Sequence, residues 1–150
     1  MENDIYDIID ELLFKDCYLI DIFPRQISKE RKDRYFALEE FYSDEEEIEL
    51  IGRKFLNVIL KLYAYYDFEA VMNDDGENIT EFDDIVEEIR GCYETGRGDI
   101  NIVMNNGSSL LSVYGDSLYM CLYAPDEEML ELVSSLAASE GLFFRRAPEE

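Results

Sequence analysis

The stretch SDEEEIELIGRKFLNVILKLYAYYDFEAVM, residues 43–72, decides the fold because the spacing of its apolar residues changes partway along it. Ser43 and Glu46 have the spacing of a capping box at the start of a helix. Apolar residues then recur at the three- and four-residue steps of one helical stripe: Ile48, Ile51, Phe55, Val58, Ile59 and Leu62. From Tyr65 on, the period is the two-residue period of a strand. The sequence therefore predicts a long helix that leads almost directly into a strand.

The end of this helix and the strand after it carry more specific expectations. Leu56, Leu60 and Tyr63 widen the apolar stripe, so we expect the last two turns of the helix to be covered on more than one side. In the strand, alternate side chains face opposite sides of the sheet. One set comprises Tyr66, Phe68, Ala70 and Met72, and the other comprises Tyr65, Asp67 and Glu69.

Charge is the most unusual property of the chain. Thirteen basic and 36 acidic residues give a formal net charge of −23 over 150 residues, while 47% of the residues are hydrophobic. This apolar share excludes a disordered acidic tail and fits one folded domain over residues 1–150. The negative charge repels nucleic-acid phosphates and anionic membrane surfaces, and it attracts basic proteins. The alternative interpretation is that the negative charge only keeps the protein soluble, as it does in many acidic proteins.

The three cysteines bear on the compartment. Cys17, Cys92 and Cys121 are odd in number and match no zinc or CxxC spacing, and each lies in or beside an apolar run. We expect them to be reduced and buried, as in a cytoplasmic protein. The N-terminus has no signal-peptide pattern, and no apolar run is long enough to span a membrane.

The remaining periodicity predicts four more helices. They cover residues 4–15, residues 35–42, residues 80–93 and a segment from Pro125 to about Gly141. Phe36, Leu38, Phe41 and Tyr42 are available for burial in the second of these. Phe82, Ile85, Val86 and Ile89 form the stripe of the third.

The strands complete an α+β fold. Further strands are predicted at residues 17–23, 100–105, 111–113, 118–124 and 142–146. Asn106-Gly107 is a strong hairpin signal and Gly115-Asp116 a second tight turn, so the C-terminal third forms a three-stranded antiparallel meander. We predict a single α+β domain, with five helices on a mostly antiparallel sheet of five to six strands. Apolar residues on both faces of several strands predict helices on both sides of the sheet.

Residues 25–34 are the one basic passage, and three interpretations stay open. The passage contains Arg25, Lys29, Arg31, Lys32 and Arg34. The favoured interpretation is a loop whose cations pair with the protein's own acids. The alternatives are an anion-recognition loop and one side of a partner contact.

The residue inventory argues against most enzymes. The chain has no histidine, which removes the commonest general base and the usual triads and zinc ligand sets. Residues 73–78 are polar but lack the EF-hand form. Asp21 and Asp67, acids within apolar strands, are the candidates for a magnesium-dependent carboxylate site; otherwise each ends its strand or holds a partner. We therefore predict no enzyme activity, no catalytic residue, no cofactor and no metal.

A binding surface is the better functional candidate. If Leu118, Met120 and Leu122 face the core, then Tyr119 and Tyr123 face the other side with Cys121, Ser112 and Tyr114. Tyrosine beside acid suits recognition of a cationic protein. The alternative is that a helix covers that face. The predicted partner-binding residues are Tyr114, Tyr119, Tyr123, Tyr65, Asp67 and Glu69.

Two function hypotheses follow. The first is an acidic protein-binding module, an immunity-type or inhibitory antidote for a basic toxin or nuclease, whose acids replace the phosphates that the partner grips. In size, acidity and lack of catalytic groups the chain is similar to bacterial immunity proteins as a class, a resemblance of composition from which no site residue is carried over. The second is a small carboxylate-dependent metal-binding enzyme or ligand-binding regulator.

Overall fold

A computed structural model describes residues 4–72 and 78–148, which form five α-helices and one seven-stranded sheet. The α+β class and the five helices are confirmed. In chain order the elements are α1 (Ile5–Leu12), β1 (Cys17–Asp21), α2 (Lys32–Tyr42), α3 (Glu45–Tyr63), β2 (Phe68–Met72), β3 (Asn78–Ile79), α4 (Phe82–Thr95), β4 (Asp99–Met104), β5 (Ser109–Tyr114), β6 (Tyr119–Tyr123), α5 (Glu127–Ser139) and β7 (Phe143–Arg146).

The sheet runs in the order β3-β2-β4-β5-β6-β1-β7, and every neighbouring pair is antiparallel. The predicted meander is β4-β5-β6, but it is the middle of a larger sheet. The prediction of five to six strands is wrong because it does not include the edge strand β3. Two residues are too few to show a two-residue period, so β3 left no signal in the sequence.

The core lies on one face of the sheet, which we call the core face. There α3, α4 and α5 bury side chains against alternate residues of the central strands. Fully enclosed members include Phe55, Ile59, Ile89, Val133, Ile20, Ile102, Leu111 and Met120. Ile59 lies near the middle of α3, so the expectation of a long buried helix is confirmed.

The opposite face, the second face, is covered only in part. Ile5, Ile9 and Leu12 of α1 pack on Val71, Val103 and Leu110, which alternate along their strands with residues of the core. Helices therefore lie on both sides of the sheet, with α1 on the second face.

The junction between α3 and β2 is longer than predicted. The amides of Tyr65 and Tyr66 bond back to the carbonyl of Leu62, which continues the turn after the helix. β2 therefore begins at Phe68, and Tyr65 and Asp67 lie before the strand rather than in it.

The predicted capping box at Ser43 is wrong. The Ser43 hydroxyl donates to the carbonyl of Glu40 at 2.6 Å, so this residue closes α2. Asp44 precedes α3 and makes no side-chain capping bond. Acidic residues in the first turn instead stabilise the positive end of the helix dipole.

Of the four residues of α2 that are available for burial, Tyr42 packs against the core and Phe36, Leu38 and Phe41 do not. α2 contains no buried residue, and these three side chains are exposed. They do not all fall on one helical stripe, because the two-residue step from Phe36 to Leu38 places those two side chains on different sides of the helix. The side of α2 that faces the protein carries the half-buried Tyr35, Glu39 and Tyr42.

Candidate functional site

Two aromatic rings stack where the end of α3 meets the start of α4. Tyr63 and Phe82 have ring centroids 5.0 Å apart with planes at 26°. The Tyr63 ring also meets Phe68 at 5.3 Å in an edge-to-face arrangement. Tyr63 and Phe82 are each 38% exposed, whereas Phe68 is buried. The two exposed rings therefore form an apolar surface that packs on the buried ring of Phe68.

Acidic residues flank these rings in the sequence. Asp83 and Asp84 follow Phe82 in the first turn of α4, Glu81 precedes it, and Asp67 precedes Phe68. All four are exposed, and none forms an ion pair within residues 4–72 and 78–148. The adjacent Tyr65 is 65% exposed. We call this surface the acidic aromatic patch: Tyr63, Tyr65, Asp67, Glu81, Phe82, Asp83 and Asp84.

The antiparallel packing of α3 on α4 positions the patch. Tyr63 meets Phe82 at one end of the helix pair. At the other end, the Tyr93 ring lies so close to Gly52 that an added Cβ would stand 2.8 Å from its Cγ. Eleven residues separate the two contacts in each helix (63 − 52 and 93 − 82), so the helices stay in register over about three turns.

A second group of aromatic residues lies on the second face. Because Leu118, Met120 and Leu122 are buried in the core, Tyr119, Cys121 and Tyr123 point the other way, as predicted. Cys121 pairs across the sheet with Ser112, and the rings of Tyr114 and Tyr119 meet at 6.3 Å. We call Cys17, Tyr114, Cys121 and Tyr123 the thiol–tyrosine cluster.

Neighbouring segments cover this cluster in part, so that Cys121 is buried and its other members are half-buried. At one end, Tyr123 packs against the apolar cluster that α1 forms with the sheet. At the other end Tyr35 of α2 meets Phe23 at 5.8 Å. Burial, followed by the negative charge of Glu39 and Asp21, raises the pKa of Tyr35 to about 12. The alternative that a helix covers this face holds at the end where α1 packs.

Proton affinities differ sharply within the cluster. Burial raises the pKa of Tyr114 to about 12 and also raises the pKa of Tyr123. The adjacent Cys121 side chain lowers the pKa of the Cys17 thiol, and the proximity of Cys17 together with burial raises the pKa of Cys121. In the structure the Cys17 thiol donates a hydrogen bond to the carbonyl of Tyr18 at 3.7 Å.

The six predicted partner-binding residues fall into separate places. Tyr114, Tyr119 and Tyr123 come together on the second face, and Tyr65 and Asp67 belong to the acidic aromatic patch. Glu69 also lies on the second face, but β4 and β5 separate it from β6, and Val103 and Leu110 on those strands carry α1. Glu69 accepts a hydrogen bond from Asn78 at 2.7 Å.

The two carboxylates considered for a metal site are not brought together. Asp21 ends β1 and also holds a partner, since it bonds the Arg145 guanidinium at 2.6 Å and the Phe23 amide at 3.2 Å. Asp67 lies at the opposite end of the sheet, about 20 Å away along the strands, because about six residue steps separate its level from that of Asp21. Within the described residues no three histidine, cysteine or acidic groups are placed to hold a metal ion.

The cations of residues 25–34 do not neutralise the protein's acids in the part of the chain that the structure describes. Arg25, Lys29, Arg31, Lys32 and Arg34 are exposed, and none of them forms an ion pair there. Lys32 lies 5.5 Å from the Phe36 ring centroid, within cation–π range. The favoured interpretation of this segment is therefore not supported.

A cavity of about 580 Å³ lies between α3 and α4. Its volume is within the range of small-molecule pockets. The lining includes the apolar side chains of Ile48, Leu56 and Ile89, the cations of Arg53 and Arg90, the carboxylates of Glu45, Glu49 and Glu94, and Tyr93. The hydroxyl of Tyr93 is buried without a hydrogen-bond partner in the described structure. Charges of both signs at the rim define no single class of ligand.

Tyr63 and Phe82 are the functional candidates that sequence reasoning missed. The spacing of both residues predicts that they belong to apolar stripes that face the core. Each is the terminal residue of its helix, where the neighbouring turn that would cover it is absent. Their position at the ends of helices is therefore the sequence signal that could have identified them as partly exposed.

Comparison of the chain with protein-family models, with curated proteins and with solved structures finds no match. Of the helices in the described residues, none has the length and apolarity needed to cross a membrane.

Proposed function

We propose that the protein is an acidic protein-binding module that docks a basic partner on the acidic aromatic patch, as an immunity-type or inhibitory antidote does. The observation that supports this most is the exposed Tyr63–Phe82 stack, with four adjacent carboxylates that make no ion pair in the described residues. An evenly spread acidic surface, which serves solubility alone, has no need of such a stack.

The patch combines the two kinds of group that protein interfaces use. Aromatic side chains dominate binding energy at interface centres. Charged side chains at the margin speed association and select the partner's charge. Because the patch carboxylates have no partner in the described structure, a cationic partner breaks no internal ion pair when it binds. A net charge of −23 extends the attraction beyond the patch.

An inhibitory role follows from the chemistry of such a partner. A toxin or nuclease that grips phosphates does so with lysine and arginine. Carboxylates presented beside an apolar surface occupy those cations, and the rings hold the complex once the charges meet. The carboxylates then replace the phosphates that the partner binds.

Site-specific photo-crosslinking tests this proposal. A photoreactive amino acid replaces Tyr65 in the patch, and in a matched control it replaces Leu50, which is 62% exposed on α3. We expect a basic protein to crosslink at position 65 and not at position 50 in extracts of the source cells, and to lose crosslinking at high salt. Equal labelling at both positions, or labelling of acidic proteins at position 65, would refute the proposal.

The second hypothesis, a carboxylate-dependent metal-binding enzyme or ligand-binding regulator, has less support. Asp21 is bound to Arg145, and Asp67 lies at the far end of the sheet. The cavity between α3 and α4 is the site that a ligand-binding regulator would use. A rise in melting temperature on addition of magnesium or manganese would reverse this ranking, since a ligand that binds only the folded state stabilises it.

A further inference from the structure

The sheet has two edges, and β7 is the longer edge strand. β3 at the other edge has two residues, whereas β7 has four and pairs only with β1 in the described residues. The sequence of β7, FFRR, contains no acid in a chain whose formal net charge is −23. The Phe143 side chain is 44% exposed. An edge strand of this kind offers backbone groups and an apolar side chain for pairing with another strand.

The bonds between β1 and β7 show which backbone groups of β7 face outward. The amide of Ala147 donates to the carbonyl of Cys17 at 3.0 Å, and the register sets these two residues opposite each other. Hydrogen-bonded pairs alternate with non-hydrogen-bonded pairs along antiparallel strands. The N–H and C=O groups of Phe144 and Arg146 therefore point away from β1, and no other backbone group in residues 4–72 and 78–148 bonds to them.

The two faces of β7 carry different side chains. Phe144 lies on the core face, where its ring stacks on Tyr18 at 5.4 Å. Phe143 and Arg145 lie on the second face, because Phe143 is opposite Asp21. The Asp21 carboxylate accepts a hydrogen bond from the Arg145 guanidinium at 2.6 Å and so fixes its position. A ring and a positioned cation thus stand two residues apart on one face of the edge.

We propose that β7 pairs with β7 of a second copy of this chain, so that the two sheets join across a two-fold axis. Such an axis is perpendicular to the sheet, and residues that lie opposite each other therefore belong to the same face. When Phe144 lies opposite its counterpart, the outward backbone groups of the two residues bond to each other. The same register sets Phe143 of each copy opposite Arg145 of the other, where the guanidinium can lie against the ring.

Charge distinguishes this register from its competitor. Because outward-facing residues must pair with outward-facing residues, only two registers join three residues of each strand. The second of these sets Arg145 opposite Arg145 of the other copy, and like charges directly opposite each other are destabilising. The register centred on Phe144 has no such contact, so β7 is complementary to itself in that register alone.

The dimer and the acidic aromatic patch respond to salt in opposite ways. Two chains that each carry a net charge of −23 repel each other, and salt screens this repulsion. The dimer should therefore strengthen as sodium chloride is added. The partner of the acidic aromatic patch should bind more weakly under the same conditions. The edge proposal does not depend on the patch, and either one can fail while the other holds.

Analytical ultracentrifugation of the full chain over a range of concentrations tests the proposal. We expect a reversible dimer whose dissociation constant falls as sodium chloride is added. Phe143→Lys sets a lysine opposite Arg145 twice in each dimer, so the dissociation constant should rise at least about tenfold. Phe143→Glu sets a carboxylate there and should keep the dimer. Phe36→Lys, which replaces a ring that is 51% exposed on α2, is the matched control and should leave the dimer unchanged.

Two outcomes would overturn the proposal. One is a wild-type chain that stays monomeric at every protein and salt concentration. The other is an equal loss of dimer in Phe143→Lys and Phe143→Glu, because only the lysine opposes the charge of Arg145. The melting temperature of each variant, measured alongside, shows whether the fold is retained.

An engineered disulfide reports the register. Phe144→Cys faces its counterpart at a Cα separation of about 5.5 Å, within the span of about 4.4–6.8 Å that disulfides need. Phe143→Cys, the matched control, is diagonal to its counterpart at about 7–8 Å. In chains that also carry Cys17→Ser, mild oxidation should link two copies through position 144 and not through position 143, as mapped by peptide mass spectrometry. No link at position 144, or equal yields at both positions, would contradict pairing centred on Phe144.

Discussion

Asp21 and Arg145 make the most enclosed ion pair found among the described residues. Their side chains are 6% and 16% exposed, against 67% and 56% for Asp16 and Arg146. The Asp21 carboxylate also accepts a hydrogen bond from the backbone amide of Phe23. This bond lies where the chain leaves the sheet after β1. The Asp21 carboxylate thus lies at the end of a strand and neutralises a guanidinium. The exposed pair of Asp16 and Arg146 contributes little to stability because water screens the interaction.

Removing one member of the buried pair should be costly. Asp21→Ala leaves the largely enclosed Arg145 guanidinium without its carboxylate partner, so the free energy of unfolding should fall by about 3 kcal/mol. Asp16→Ala, the matched control at the exposed pair, should cost less than about 1 kcal/mol. Urea denaturation of the two variants measures both values. Equal losses would show that burial does not distinguish the pairs.

Helix packing is the main determinant at the scale of elements. Ile59 is completely enclosed on α3, while Leu50 on the same helix is 62% exposed. Ile59→Ala should lower the free energy of unfolding by about 2–5 kcal/mol, and Leu50→Ala should change it by less than about 0.5 kcal/mol. Thermal or urea unfolding provides the comparison. A loss below about 0.5 kcal/mol at Ile59 would contradict the buried position of α3.

The contact between α3 and α4 depends on a glycine. An added Cβ at Gly52 would meet the Tyr93 ring, whereas nothing lies within 4 Å of the same atom at Gly91 on α4. Gly52→Ala should therefore destabilise the protein by about 1–3 kcal/mol through overpacking. Gly91→Ala should instead stabilise it by up to about 1 kcal/mol, since alanine is the better helix former. Effects of the same sign would show that Tyr93 does not pack on Gly52 as described.

Periodicity explains why some elements are predictable and others are not. The stripe from Ile48 to Leu62 and the alternation of Leu118, Met120 and Leu122 are local patterns, so they identified α3 and the orientation of β6. β3 is too short to have a period. The stacking of Tyr63 on Phe82 joins residues from two helices, and the local spacing of neither helix contains that information. The tyrosines on the second face were therefore predictable as a group, and the acidic aromatic patch was not.

The whole molecule carries a large excess of negative charge with few internal ion pairs. Three ion pairs occur in the described residues, against a formal net charge of −23. Mutual repulsion among the acids opposes compaction, and dissolved salt screens it. The melting temperature should therefore rise as sodium chloride is added at neutral pH. A fall over the same range of salt would mean that attractive pairs outweigh the repulsion.

Association kinetics test the acidic aromatic patch most directly. The partner captured through position 65 is mixed with the wild type, with the patch variant Asp67→Lys/Glu81→Lys, and with Asp10→Lys/Glu11→Lys, which changes the net charge equally on the exposed side of α1. We expect the association rate constant to fall steeply with salt for the wild type. It should fall much further for the patch variant than for the α1 variant. Equal rate constants for the two variants would show that net charge alone guides binding and would contradict a docking site at the patch.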